Sequence, residues 1–271
     1  MLRFVVYEKM ATLSPNIKRS DIVSERENLQ EIDFNLIPPF NIMNPFTDLK
    51  VSILQNGRWD NAINNLAPTF TRENELVYNY DKKSSFIAGN EYRQLDLKTL
   101  RYQSGNVAKI AVTEGSNKVQ LIADVARAKF PYSTYQDING GYVIRNQDGA
   151  GTPNTDGDYA QVKFTLAYDE PLAYGSVYVV GDFNQNRISE ESQMHYNYST
   201  LAYEAFIPLK QGFYNYQYVV ARDNGVPDAS VIEGTFFPTE NNYTIIAYFR
   251  DFSSDYDRVI ACTTVNSVLR K

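Results

Sequence analysis

Short runs in which apolar and polar residues alternate recur along the chain, and they constrain its fold more than any other feature. The first group is "LRFVVY" (2–7), "QEIDFNLI" (30–37), "LKVSILQ" (49–55), "EYRQLDL" (91–97), "VAKIAV" (107–112) and "KVQLIA" (118–123). A second group follows: "YAQVKFTLAY" (159–168), "SVYVVGDF" (176–183), "QMHYNYS" (193–199), "AYEAFIPL" (202–209), "FYNYQYVVA" (213–221), "YTIIAYFR" (243–250) and "YDRVIACTTV" (256–265). A period of two sends successive side chains to opposite faces of a strand, so each run can bury one face and wet the other. No window sustains an i, i+3, i+4 apolar pattern. The 21 tyrosines and 15 phenylalanines fit pleated sheets better than helices. Many short strands between turn signals predict an all-β chain of two tandem immunoglobulin-like, early-set β-sandwich domains.

One long interruption, "FPYSTYQDINGGYVIRNQDGAGTPNTDGD" (130–158), is rich in Gly, Asn, Asp and Pro and reads as a long loop or linker packed onto the second domain. It predicts a boundary near residue 130, with domains at 1–130 and 131–271. A chain of 271 residues accommodates two domains.

The stretch "NPFTDLKVSILQNGRWDNAI" (44–63) holds the only tryptophan, Trp59. Asn56-Gly57 after an apolar strand is a strong hairpin signal, because both residues tolerate positive φ. Trp59 is then expected to open the return strand and pack on the sheet, with Arg58 and Asp60 on the opposite face, free to pair or to serve a partner. In "FYNYQYVV", Tyr214, Tyr216 and Tyr218 share one face with Val220, and Phe213, Asn215 and Gln217 share the other. The tyrosine face is read as core or inter-domain packing.

Charge and motif content narrow the chemistry. The net charge is −6, with no basic stripe, which argues against nucleic-acid binding. Cys262 is the only cysteine and is read as a buried small hydrophobe. His195 is the only histidine, so any histidine-assisted nucleophile would have to use it. It lies in "MHYNY" and reads as an ordinary sheet residue. Asn154, Asp156 and Asp158 alternate as at the start of a calcium loop, but the sixth position is Tyr159 and the twelfth Thr165, so a solvated turn is expected. The reading is therefore a non-enzymatic protein, with no catalytic residue, cofactor or metal site assigned. No run of 18 apolar residues is long enough to span a bilayer as a helix. "MLRFVVYEKM" does not read as a signal peptide.

Two resemblances add to this. "VYVVGDFNQNR" (177–187) and "LKQGFYNYQYVVARDNG" (209–225) resemble the early-set sandwich family of glycogen-binding modules. That family places a tryptophan two residues after its F-N pair. Here the position is Asn186, and residues 130–271 contain no tryptophan, so the fold is implied and carbohydrate binding is not expected. A carbohydrate-binding module remains the alternative reading. The whole chain resembles the plug protein family of the bacterial type IX secretion system. "QEIDFNL" (30–36), "NPFTDLKVSILQNGRWDNAI" (44–63), "GNEYRQLDLKTLRYQ" (89–103), "QDINGGYVIRNQ" (136–147), "DYAQVKFTL" (158–166) and "IEGTFFPTENNYTIIAYFR" (232–250) carry it, in order. The resemblance implies a periplasmic location at the inner face of the outer membrane. It also implies a partner in the outer-membrane translocon barrel, and a role in closing that barrel's periplasmic mouth when no cargo passes. It further implies that "LRFVVYE" is the last strand of an N-terminal β domain absent from this chain. The residues expected to touch a partner are Arg58, Trp59 and Asp60 at the hairpin tip, and Phe183 and Asn184 in the F-N turn.

Overall fold

A computed structural model describes residues 4–149, 151–222 and 226–268. In chain order the strands are β1 (Thr12–Arg19), β2 (Leu29–Ile37), β3 (Leu49–Gln55), β4 (Ile63–Leu66), β5 (Phe70–Arg72), β6 (Glu75–Tyr78) and β7 (Ser85–Ile87). Next come β8 (Arg93–Asp96), β9 (Val107–Thr113), β10 (Ser116–Leu121), β11 (Asp124–Val125), β12 (Tyr142–Ile144), β13 (Tyr159–Ala167) and β14 (Ser176–Val180). The last are β15 (His195–Asn197), β16 (Ala202–Lys210), β17 (Gly212–Ala221), β18 (Pro227–Asp228), β19 (Asn242–Phe249) and β20 (Arg258–Asn266). The described helices are single turns, so the chain is all-β, as the alternation predicts.

The strands assemble two compact units, one of residues 1–88 with 235–271 and the other of residues 89–234. This corrects the expected boundary near 130 and the tandem order: the second sandwich is inserted into the first. The cause is long-range pairing. β19 lies antiparallel to β3, with Ile245 opposite Ile53, so the last two strands return to the first unit. Their approach is fixed by buried amides. The Gln30 side chain donates to the carbonyls of Phe237 and Thr239 at 2.7 and 2.8 Å and accepts from the Tyr243 hydroxyl at 2.6 Å. Asn241 donates to the Ala88 carbonyl at 2.9 Å. Buried amides need such partners, so this set selects one path for the returning chain.

In the first unit, one sheet runs β1-β2-β6-β5, with β7 also on β2, and faces a second of order β20-β19-β3-β4. Ile32, Phe34 and Leu36 from β2 meet Val51, Ile53, Tyr243 and Ile245 from the opposite sheet in one core. The expected first strand "LRFVVY" is irregular over its described residues 4–7, and its side chains are exposed. Regular pairing starts instead at β1, with Thr12 opposite Ile37. Cys262 lies in β20 and is half-buried rather than buried.

In the second unit, the sheet β15-β16-β13-β10-β9, with β11 on β13, packs on a second sheet centred on β17. β12 and β8 flank the first half of β17, and β14 and β18 its second half. Tyr214, Tyr216 and Tyr218 point into the core beside Phe164 and Val179, as the alternation implies. The opposite face is buried too: the Asn215 carboxamide oxygen accepts from the Ile138 backbone N–H at 2.7 Å. Segment 130–158 is thus part of this unit, as expected of a stretch packed on the second domain, but it contributes the strand β12 where only loop was expected. β10 and β13 run parallel, with Val119 opposite Val162. Parallel neighbours need a long crossover, and residues 122–158 provide it.

Candidate interaction site

The hairpin tip is built differently from the expectation. Asn56 (φ 54°) and Gly57 (φ 69°) do form the tight turn, closed by the Arg58 N–H donating to the Gln55 carbonyl at 3.0 Å. The return strand, however, begins at Ile63. Trp59 sits in the intervening loop, 36% exposed and outside both cores, so it is not a core anchor. With β3 ending at Gln55 and β4 starting at Ile63, Trp59 belongs to neither strand, so the period-two alternation that would set its ring on the sheet does not reach it. Arg58 and Asp60 pair with each other through two bonds, Nη2 to Oδ2 at 2.5 Å and Nε to Oδ1 at 3.2 Å. The pair is a fixed fork beside an accessible ring.

Phe183 and Asn184 lie in the other unit, in a short 3-10 turn after β14. Asn184 accepts from the Gly181 N–H at 3.1 Å and donates to the Val179 carbonyl at 2.9 Å. The Phe183 ring meets Tyr214 edge-on with centroids 5.9 Å apart. Gly181 is required here, because a Cβ would stand 2.5 Å from the Asn215 carbonyl oxygen. These two residues close the turn and brace the core.

The sequence reading missed a larger feature at the other end of β3. The segment "PPFNIMNPF" (38–46) leads into it, and Met43 is 87% and Phe46 54% exposed. The β19–β20 connection lies beside this segment, since the Arg250 N–H donates to the Asp48 carbonyl at 2.9 Å and Phe40 packs on Phe249 with centroids 5.2 Å apart. That connection exposes Phe252 and Tyr256. A groove runs between residues 38–47 and the β5–β6 hairpin. One end of the first unit therefore presents four large apolar or aromatic side chains to solvent. Large apolar side chains exposed at one end of a unit contribute nothing to its core and are available to a partner. The proline-interrupted aromatic run is the signal that could have marked it.

The buried charges, by contrast, are consumed by architecture. Glu233 accepts from Arg93 Nε at 3.0 Å, from Arg127 Nε at 2.5 Å and from the Tyr218 N–H at 2.9 Å. Burial opposes its charge, but the two guanidiniums outweigh burial and hold its carboxyl below the ordinary value. Asp124 accepts from Arg93 at 2.8 Å and from the hydroxyls of Tyr216 and Tyr218 at 2.8 and 2.7 Å. Burial, reinforced by the Asp124 charge, pushes both phenols well above the ordinary tyrosine value.

His195 is exposed on β15, opposite Glu204 on β16, in an open depression that includes Glu190, Glu191 and Tyr198. Glu204 is engaged by Lys163 at 2.9 Å and Thr200 at 3.1 Å. The imidazole makes no hydrogen bond to the described residues, so nothing there orients it as a base towards a nucleophile. Asn154 and Asp156 fall in a one-turn helix, Pro153–Asp156, not in a calcium-type loop.

A solved structure, that of a hypothetical protein from Parabacteroides merdae ATCC 43184, is similar to this chain at 38% identity and a TM-score of 0.88. The similarity covers 96% of this chain and 66% of that one, so the chain spans about two thirds of its length. No protein-family model matches the sequence, and no match is found among curated proteins.

Proposed function

We propose that the protein is a non-catalytic periplasmic plug of the type IX secretion system. On this reading it docks at the periplasmic mouth of the outer-membrane translocon and seals it when no cargo passes. The ordered sequence resemblance along the chain supports the reading. The observation that carries it is the exposed apolar end of the first unit, where Met43 and Phe46 on one loop and Phe252 and Tyr256 on a loop tied to it by the Arg250–Asp48 bond are open to solvent. Aromatic and methionine side chains on a rigid support are what a protein partner buries at the centre of an interface. A seal needs adhesion and bulk, and no bond has to be made or broken.

Deleting the gene should leave the outer membrane leakier to small solutes in cells that hold the translocon, and unchanged in cells that lack it. A Met43→Ser, Phe46→Ser, Phe252→Ser variant that folds normally should fail to restore the seal. Permeability that is unchanged on deletion, with the translocon present and cargo-free, would remove the plug reading.

A further inference from the structure

The outer face of the β9-β10-β13-β16 sheet concentrates positive charge on a chain of net charge −6. The strand register sets the pattern. Lys109, Gln120, Lys163 and Phe206 form one row across the strands, and Ala111, Lys118, Gln161 and Pro208 form the next. The core residues Val119, Val162 and Ile207 alternate with them on the inner face. One row further, Lys210 Nζ stands over the exposed Tyr159 ring at 5.4 Å, as Lys163 Nζ stands over exposed Phe206 at 5.7 Å. A shallow groove crosses this face between Lys109, Lys118, Lys163 and Phe206. Glu204 at one margin pairs with Lys163 at 2.9 Å, and Lys210 donates to the Asn154 carbonyl at 2.6 Å. Lys109 and Lys118 have no ion pair among the described residues.

Lysine on an edge strand is a common guard against strand-to-strand aggregation. That accounts for Lys109 on β9. It does not account for Lys118 and Lys163, which lie on the interior strands β10 and β13. We propose that this face binds an acidic, extended polypeptide segment. The lysines occupy three successive rows, and rows repeat at about 6.8 Å, two residues of an extended chain. A segment with carboxylates at alternate positions, lying along the strands, meets an ammonium at each row. Gln120 and Gln161 between them offer amides to its backbone. Two other polyanions fit less well. A polysaccharide stacks on open aromatic faces, but here both rings are capped by ammonium groups. An anionic membrane would press against Glu190, Glu191 and Glu204, which border the face. This proposal stands independently of the plug reading, since it concerns a face of the second unit.

Fluorescence anisotropy of the full chain with a labelled peptide of alternating glutamate and threonine tests it. Binding is expected to weaken steeply as salt rises, and to be lost for the glutamine counterpart of the peptide. A Lys109→Gln, Lys118→Gln variant should weaken binding about tenfold, since it removes two exposed ion pairs. Lys82→Gln, Lys83→Gln changes net charge equally but lies in the first unit, and should leave binding unchanged. Equal affinity for the glutamine peptide, or an equal loss from both double variants, would overturn the proposal. So would recovery of the protein on phosphatidylglycerol vesicles, abolished by the Lys109/Lys118 changes, when the acidic peptide does not bind.

Discussion

The Asn90 side-chain amide donates to the Glu233 carbonyl at 2.8 Å, joining the two ends of the inserted unit just inside the points where the chain enters and leaves it. An inserted domain must hold its ends together or strain its host. Here Asn90 ties the backbones, while the Glu233 carboxylate, almost fully buried, gathers Arg93 and Arg127. Removing one partner of a buried ion pair strands the others. Glu233→Gln should therefore cost about 3–5 kcal/mol of the second unit's stability, and Asn90→Ala, which removes one ordinary hydrogen bond, about 1 kcal/mol. Thermal melts followed by circular dichroism check both. An unchanged melt for Glu233→Gln would mean that the insertion is closed by its sheets alone.

The same carboxylate sets a pH dependence. Its folded pKa lies below the unfolded value, so its contribution is complete above the ordinary glutamate value and is lost as pH falls through the depressed folded value. Stability measured by urea titration should fall on acidification, and Glu233→Gln should flatten that fall. Identical slopes for both proteins would assign the acid sensitivity to other carboxylates.

At alkaline pH the tyrosine layer acts in the opposite sense. The folded pKa values of Tyr216 and Tyr218 are raised, so the neutral phenols stabilise the fold below about pH 10, the ordinary tyrosine value. That stability is lost as pH rises beyond it. Absorbance at 295 nm should show exposed tyrosines ionising reversibly first, with the buried ones appearing only together with unfolding. Smooth titration of all the tyrosines in a folded chain would contradict the burial.

Gly57 tests the turn itself. Its φ is +69°, and a Cβ there would meet nothing within 4 Å, so the only obstacle to a side chain is the backbone conformation. Gly57→Val should cost about 1–3 kcal/mol of the first unit's stability, and Gly57→Asn much less, because asparagine tolerates the left-handed region. Equal melts for the two variants would mean that the turn relaxes to another form.

Local alternation made most strands legible, because each core face is written within its own strand: β13 and β17 follow the expected runs closely. It failed at β1, whose "TLSPNIKR" contains Pro15 and lacks strong alternation. As an edge strand next to β2, β1 tolerates the proline. It failed also at "LRFVVY", whose composition suits a strand but which makes no regular pairing over its described residues. The domain boundary was illegible for a different reason. The pairing of β19 with β3 joins residues nearly two hundred positions apart, and no periodicity records it. Of the expected partner residues, the Arg58–Asp60 pair was readable from alternation, although the face assigned to it was not. The apolar end at Met43 and Phe46 escaped because exposed loops carry no period.

Trp59, as the only tryptophan, reports on the first unit without any label. It stands 36% exposed beside the Arg58–Asp60 fork, so the free protein should emit as a partly hydrated indole and be quenched by acrylamide. If docking to the translocon covers this tip, adding detergent-solubilised translocon should shift emission to the blue and protect it from quenching, and Trp59→Phe should weaken the complex. If docking uses only the end marked by Met43, Phe46 and Phe252, binding should leave the Trp59 spectrum unchanged, and the serine substitutions at that end should abolish the complex. An unshifted spectrum, together with serine variants that bind normally, would exclude both ends of the first unit as the docking surface.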